Sequence, residues 1–285
     1  MISPRRRIEE RIFKVLMLGS TVVVVGSLLV ILGTIVVKSL PALRLSMVLQ
    51  TPKGGYYLGK EGGILNAILG SLYLAGGATL LAVVLSLPVV LYLNLYAKKT
   101  SAFATVSRYA LDVLWGVPSI VYGAFGFIIM MSLGLRASLL AGVITVALLE
   151  LPIMARAMDE VVRLVPGSLL DASAALGATK LETALKVAVR QALPGIITAV
   201  LIAFGRGIGD AASVLFTAGF TDNLPTSLLR PAATLPLAIF FQLGSPVLEV
   251  RERAYASAAV LTLIVLAVSL AARYLVRKLG RHAIR

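Results

Sequence analysis

The stretch GRGIGDAASVLF, Gly205 to Phe216, sets an arginine and an aspartate inside an otherwise apolar run. If that run lies in lipid, each charge costs about 2.5 to 3.5 kcal/mol on insertion scales, so the pair calls for an explanation. Arg206 and Asp210 are four apart, which puts them on one face of a helix and lets them pair. Gly205, Gly207 and Gly209 carry no side chains, so the backbone there is free to bend or to lie close to a neighbour. A second pair, Arg156 and Asp159 in ARAMDEVVRLVP, is spaced three apart and also shares a helical face. The plain alternatives are an ion pair that neutralises itself inside a bundle, and an interfacial salt bridge of small worth.

The elements that must hold these charges are set by composition. Hydrophobic residues make up 59% of the 285 and charged residues 14%, well above the roughly 45 to 50% apolar share of a soluble domain. With a mean hydropathy of +0.95, the chain reads as an integral membrane protein. The absence of cysteine excludes disulfides and thiolate metal sites. The basic excess, a formal +14, is interrupted by apolar spans and has no aromatic-basic module, so nucleic acid is not expected as a partner; such excess on a membrane protein marks loops and lipid headgroups. The opening MISPRRRIEERIFK resembles a signal-peptide start, but the apolar run after it is too long for one and reads as a retained first span.

Runs of about 20 apolar residues predict six helices, over roughly 15–37, 66–96, 109–133, 138–158, 193–220 and 254–276, in one domain covering 1–285. Pro88 predicts a tilt or kink in the second, and WGVPS around Pro118 a break in the third. Arg5, Arg6, Arg7, Arg11 and Lys14, then Lys98, Lys99 and Arg108, then Arg156, Arg163, Lys180, Lys186 and Arg190, then Arg273, Arg277, Lys278, Arg281 and Arg285 fall on one side. Only Lys38, Arg44, Lys53, Lys60, Arg136, Arg230, Arg251 and Arg253 fall on the other. The positive-inside rule then makes both termini and the 159–192 loop cytoplasmic. The apolar piece PAATLPLAIFFQL, Pro231 to Leu243, is too short to span and is expected to be interfacial or re-entrant on the outer side.

The 159–192 loop is too apolar for a bare connection. Ala172, Ser173, Ala174, Ala175 and Gly177 alternate with leucines, which predicts two short helices meeting at Gly177 and presenting small residues to a partner or to their own bundle. Asp171-Ala172-Ser173 followed by Gly177 resembles the EAA loop of ABC importer permeases, with aspartate for the usual glutamate, Ser173 for an alanine, and VAVR at 187–190 where the family has a different pattern. Together with GVPSIVYG at 116–123, ALPGI at 192–196 and LFTAG at 215–219, the ordered set resembles the PstA-type permeases of phosphate importers, from about Gly62 to Arg277.

That resemblance implies an all-α, six-span ABC importer permease fold with a cytoplasmic coupling-helix loop. It implies that Asp171, Ala172, Ser173 and Gly177 couple to an ATPase. It also implies partners: a second homologous permease, two ATP-binding cassette subunits and an external phosphate-binding protein, with ATP and Mg on the ATPase and no cofactor on this chain. The family's RxxGETAP appears here with Arg206 kept and GDAAS, Gly209 to Ser213, in place of GETAP. A guanidinium beside accessible amide groups then offers a transient phosphate contact, since its planar fork matches phosphate oxygens. Arg156 and Asp159 match an exit-path pair of the family. Asp112 and Glu150 are assigned to packing or hydrogen bonding, because a negative charge repels an anion.

GGYYLGKE, Gly54 to Glu61, nearly fits a nucleotide-binding P-loop, but Glu61 stands where Ser or Thr must hold Mg²⁺ and no strand-to-helix context surrounds it. His282 is the only histidine, so neither a histidine metal site nor a Ser-His arrangement is expected. The function expected is inward phosphate translocation powered by a separate ATPase, not catalysis on this chain. The alternatives are a permease for molybdate, tungstate or sulfate, a self-powered secondary transporter or channel, which would show matching repeats, and a membrane scaffold.

Overall fold

In hydrocarbon a backbone has no water to bond, and a helix satisfies its own N–H and C=O groups, so the long apolar runs become helices. The computed structural model describes residues 4–53, 61–98 and 101–279. Helix α1 covers Pro4–Ser39, then come a short α2, Leu45–Leu49, and a two-residue antiparallel pair of β1, Pro52–Lys53, with β2, Glu61–Gly62. Helix α3, Leu65–Leu91, continues as a π-helical turn over Tyr92–Tyr96. Helices α4, Ala102–Trp115, α5, Ser119–Ser132, and α6, Leu139–Arg163, come next. After α7, Gly167–Ala175, the one-turn α8, Lys180–Glu182, passes through π-helical Thr183–Ala188 into α9, Val189–Gly209. Helices α10, Leu235–Leu243, and α11, Leu248–Leu279, complete the order.

Ile8–Ser39, Leu65–Tyr96, Leu139–Arg163, Lys180–Gly209 and Leu248–Lys278 are long and apolar enough to cross a membrane, and α4 with α5 makes a sixth span if the two are taken together. Those two are bent by 103° at the break containing Pro118, which caps α5 with an extended ψ of 139°. Tyr122 Oη on α5 donates back to the Leu114 carbonyl at 2.8 Å and bridges the bend. Helix α6 forms the centre. It packs on α3 and α9 through Ala82, Val90, Met154, Met158, Ala199 and Ala203, all buried. Small residues at such contacts let helices approach closely, which drives association where no water is expelled.

Three sequence expectations change. The fifth helix, expected over 193–220, begins its helical turns at Lys180 and ends at Gly209. Glycine holds a helix poorly, and at the next position Asp210 turns extended and its Oδ2 accepts the Ser213 N–H at 2.8 Å, an alternative to the helical ladder. Residues 210–234 are therefore irregular, yet their carbonyls have a use. Thr217, Arg230 and Leu228 accept from the N–H groups of Ser138, Leu139 and Leu140 at 2.9, 2.9 and 2.8 Å, which satisfies donors at the start of α6 that a helix leaves unpaired. Irregular backbone among spans is tolerated where protein covers it, and Ser213, Val214, Thr217 and Ala218 are buried.

The second narrows an expectation, that Pro231 to Leu243 is interfacial or re-entrant. Ala232 to Ala238 are buried between α3 and α11, and the Leu235 N–H donates to Ser71 Oγ at 2.8 Å, which fits the re-entrant alternative. The third is the 159–192 loop. Only its first helix, α7, is separate, and beyond Gly177 the chain already enters the fifth span.

Candidate functional site

Arg206 sits in the last turn of α9, where a cation complements the helix C-terminus. Its face of the helix, shared with Ile202 and Gly209, is exposed, while Ala199, Ala203 and Gly207 are buried on the face toward α6. The expected pair with Asp210 does not form. Helix α9 ends before Asp210, whose carboxylate turns to Ser213, and Arg206 makes no hydrogen bond or ion pair to a described residue. Its charge acts on Tyr122, which borders it from α5. The accessible amide groups expected beside it are absent as well. The N–H groups of Gly205, Gly207 and Gly209 belong to the helix, and at a C-terminus it is carbonyls that are left over. An anion at this point therefore meets the guanidinium alone. Nor do these glycines break the helix: Gly205 and Gly207 lie within it and Gly209 is its last residue. Gly207 permits a close approach, since a side chain there would take the place of the Glu150 carboxylate.

The second cluster is larger than the sequence pair. Asp159, fully buried near the end of α6, accepts from Arg108 Nε at 2.9 Å on one oxygen, and from Asn94 Nδ2 at 2.6 Å and Arg108 Nη2 at 3.2 Å on the other. Arg156 Nη1 lies 3.6 Å from Asp159, but its Nε makes a shorter contact, 2.8 Å, with Asp112 on α4. Glu160 at 3.7 Å from Arg156 and Arg163 at 3.9 Å from Asp159 complete the network. Asn94 reaches Asp159 from the π-helical turn at the end of α3, a widened turn of the kind found at functional positions. A cavity of about 430 Å³ opens beside the network, bordered by Asn94, Arg108, Arg163, Gly167 and Leu170.

Helix α7 has no buried residue, so Asp171, Ala172 and the apolar Leu176, which is 90% exposed, stand open. Ser173 Oγ is 2.9 Å from Thr183 Oγ1, tying α7 to the start of the fifth span. Gly177 has φ of +81°, a conformation glycine adopts without the clash of a Cβ, and it turns the chain back. Thr179 and Glu182 then form a capping box that starts α8.

This bundle with an exposed short helix has known relatives. The profile of the binding-protein-dependent transport system inner membrane component family matches residues 91–284. The chain belongs to that family. Phosphate transport system permease protein PstA of Haemophilus influenzae is 35% identical over 241 residues, 84% of each chain. PstA of Yersinia pestis is 37% identical over 217 residues, 76% of this chain and 73% of its own. PstA 1 of Mycobacterium tuberculosis H37Rv is 36% identical over 213 residues, 74% of this chain and 68% of its own. The permease fold is similar to that of the inward-facing MetNI methionine ABC transporter, with a TM-score of 0.60 at 19% identity over 76% of this chain and 95% of that one. It is also similar to an amino acid ABC transporter solved with histidines, at a TM-score of 0.53 and 16% identity over 75% and 93%.

In this inner-membrane component the PstA-type resemblance of the motifs is borne out by the relatives, and the chain is a multi-pass permease subunit of an ABC transporter. Of the residues read from the sequence, Arg156 and Asp159 lie together in the Asp159 network, whereas Arg206 and Asp210 are not paired with each other. Arg108 and Asn94 were missed. No local spacing reveals them, as they lie 51 and 65 residues from Asp159. Asp112 and Glu150 divide: the first is an ion-pair partner of Arg156, and the second is buried with neither oxygen hydrogen-bonded. The P-loop-like residues 54–60 and His282 lie outside the described residues.

Proposed function

We propose that this chain is one permease half of an importer that carries inorganic phosphate inward, driven by ATP hydrolysis on separate subunits. The observation that carries the reading is the likeness to PstA proteins over 84% of both chains. Arg206 supplies its chemistry: a guanidinium on an open helix face, without a carboxylate partner among the described residues, is ready for an oxyanion. The missing amide donors and the negative end of α9 beside it favour a weak, passing contact, which suits a path more than a storage site.

In this reading Arg156 and Asp159, with Arg108, form the end of the path near the cytoplasm. Helix α7 and the turn at Gly177, exposed and small-sided, form the coupling element, with Leu176 as the apolar residue inserted into a cleft of the ATPase. The partners are a second homologous permease, two ATP-binding cassette subunits that hold ATP and Mg, and an external phosphate-binding protein. No nucleotide site belongs to this chain, and both termini are cytoplasmic. Lipid covers the exposed apolar faces of α1. The test is ATP hydrolysis by the reconstituted complex with its binding protein, comparing phosphate with sulfate and molybdate. Stimulation by phosphate is expected; stimulation by another oxyanion in its place transfers the function to that anion.

A further inference from the structure

Helix α1 packs mainly on α11, and where α1 ends and α11 begins the two border a cavity of about 490 Å³. That volume falls among those of small-molecule sites, about 300–1,000 Å³. Val37 of α1, Leu243 of α10 and Leu248 of α11 give it an apolar wall, and Lys38, Arg251 and Tyr255 give it polar atoms. Both helices are spans, so the meeting of the end of one with the start of the other marks the boundary between hydrocarbon and water, a depth at which tyrosine is common. Lys38, next to last in α1, lies over the Tyr255 ring at 5.0 Å from its centroid, with Nζ 3.4 Å from the Tyr255 hydroxyl. A lysine near a helix end is free to extend its ammonium into water, and this contact keeps the charge at the cavity instead. Arg251 is one turn before Tyr255 on the same face of α11, and its guanidinium makes no hydrogen bond or ion pair to a described residue. Glu252 also borders the cavity, out of ion-pair reach of both cations.

We propose that this cavity binds one anionic phospholipid, with its phosphodiester between Lys38 and Arg251 and its acyl chains along the exposed apolar side of α1. Charge decides the class of ligand. Two cations and one carboxylate leave a single positive charge, which a phosphodiester bearing an uncharged headgroup alcohol neutralises, whereas a choline headgroup would bring a third cation. The guanidinium fork matches phosphate oxygens, and the ammonium adds a point charge beside it. The apolar wall decides between a lipid and a soluble anion. A small oxyanion gains nothing from Val37, Leu243 and Leu248, while a lipid covers them and continues onto Val30 and Val36 of α1, which are exposed. The consequence is structural: a lipid that bridges Lys38 and Arg251 fastens α1 to the start of α11. This site is separate from Arg206 and from any anion path, so it stands whether or not that path is correctly placed.

The test uses the assembled importer, purified in detergent and titrated with phosphatidylglycerol or phosphatidylcholine, with the bound lipid counted by mass spectrometry. Phosphatidylglycerol should bind in preference. The double variant Lys38→Gln, Arg251→Gln should weaken it about tenfold or more, the worth of a charge-assisted contact. Arg251→Lys, which keeps the charge, should weaken it less. Val37→Trp fills the cavity and leaves both charges in place, so it should expel the lipid too, and it decides the matter if the double variant fails to assemble. Equal binding of the two lipids overturns the proposal, as does wild-type affinity for phosphatidylglycerol in the double variant or in Val37→Trp. Inorganic phosphate tests the other source of the same chemistry. In phosphatidylcholine alone, any rise in Tm with inorganic phosphate should be equal in the wild type and the double variant. A rise that the double variant lacks would give these cations to a soluble anion and overturn the lipid site.

Discussion

Arg108 on α4 donates through Nε to Asp159 Oδ2 on α6 at 2.9 Å, and Asn94 completes the carboxylate from the end of α3 at 2.6 Å. Three helices are thereby joined at one acid, and α6, which carries it, ends two residues before the cap of α7.

Removing the charge of Asp159 tests how much that pin holds. In Asp159→Asn, Arg108 and Arg156 lose a common counter-charge in a site where the acid is fully buried and Arg108 is 17% exposed. Breaking a buried pair from one side costs about 3–5 kcal/mol, and the residual hydration of Arg108 brings the expected loss to about 2–4 kcal/mol. Arg108→Ala should cost less, because Asn94 at 2.6 Å and Arg156 at 3.6 Å remain on Asp159. The Tm of the purified complex in detergent measures both, and an Asp159→Asn complex as stable as wild type would show that the network carries no structural weight.

Range decides which features were legible in the sequence and which were hidden. Spans over 66–96 and 138–158 were legible because a run of apolar residues has few alternatives in lipid, and Pro118 marked the bend of α4 against α5 through its own backbone chemistry. The end of α9 was hidden by the apolar run continuing to Phe220, although three alternating glycines followed by Asp210 and Ser213 carried a local signal for it. Arg156 and Asp159 were visible as neighbours on a helix. Arg108 and Asn94 were not, since only the packing of α3 and α4 against α6, and a π-helical turn, bring them there. The isolation of Glu150 was equally invisible, because spacing shows which groups share a face and not which lack a partner.

Gly177 is held at φ of +81° with open space around it, so a side chain there meets backbone strain and no crowding. For most residues that conformation costs about 1–2 kcal/mol. Gly177→Asn should keep the turn and the attachment of the ATPase, since asparagine visits this region. Gly177→Val and Gly177→Trp should reorient Leu176 and lower the amount of ATPase that copurifies, while membrane insertion is unchanged. Full copurification with Gly177→Trp would take this turn out of the docking surface.

Sidedness has its own measurement. Because the chain lacks cysteine, a single cysteine at Ala178 is the only thiol present. An impermeant thiol reagent should label it in inverted vesicles and leave it untouched in intact cells, as the grouping of basic residues requires. Labelling in intact cells would reverse the orientation of every span.

Arg206 and Asp210 provide the last prediction, and their separation determines its form. A buried ion pair would make the two substitutions non-additive, with each single change orphaning a charge and the double change relieving it. Here Asp210 serves Ser213 at 2.8 Å and Arg206 has no carboxylate partner among the described residues, so the effects should add. Arg206→Leu should leave the Tm of the complex within about 0.5 kcal/mol of wild type in stability terms, yet reduce phosphate uptake severely, because an exposed helix face tolerates the change and the anion does not. Asp210→Ala should cost about 1 kcal/mol through the lost cap, and Asp210→Asn, which still offers an oxygen to the Ser213 N–H, should recover most of it. Arg206→Lys keeps the charge without the planar fork and should fall between wild type and leucine in uptake. Stability and uptake measured on all four variants decide the matter. If the Arg206→Leu, Asp210→Leu double variant were both more stable and more active than either single change, the two residues would be a pair in the working complex, and the path would have to be sought elsewhere.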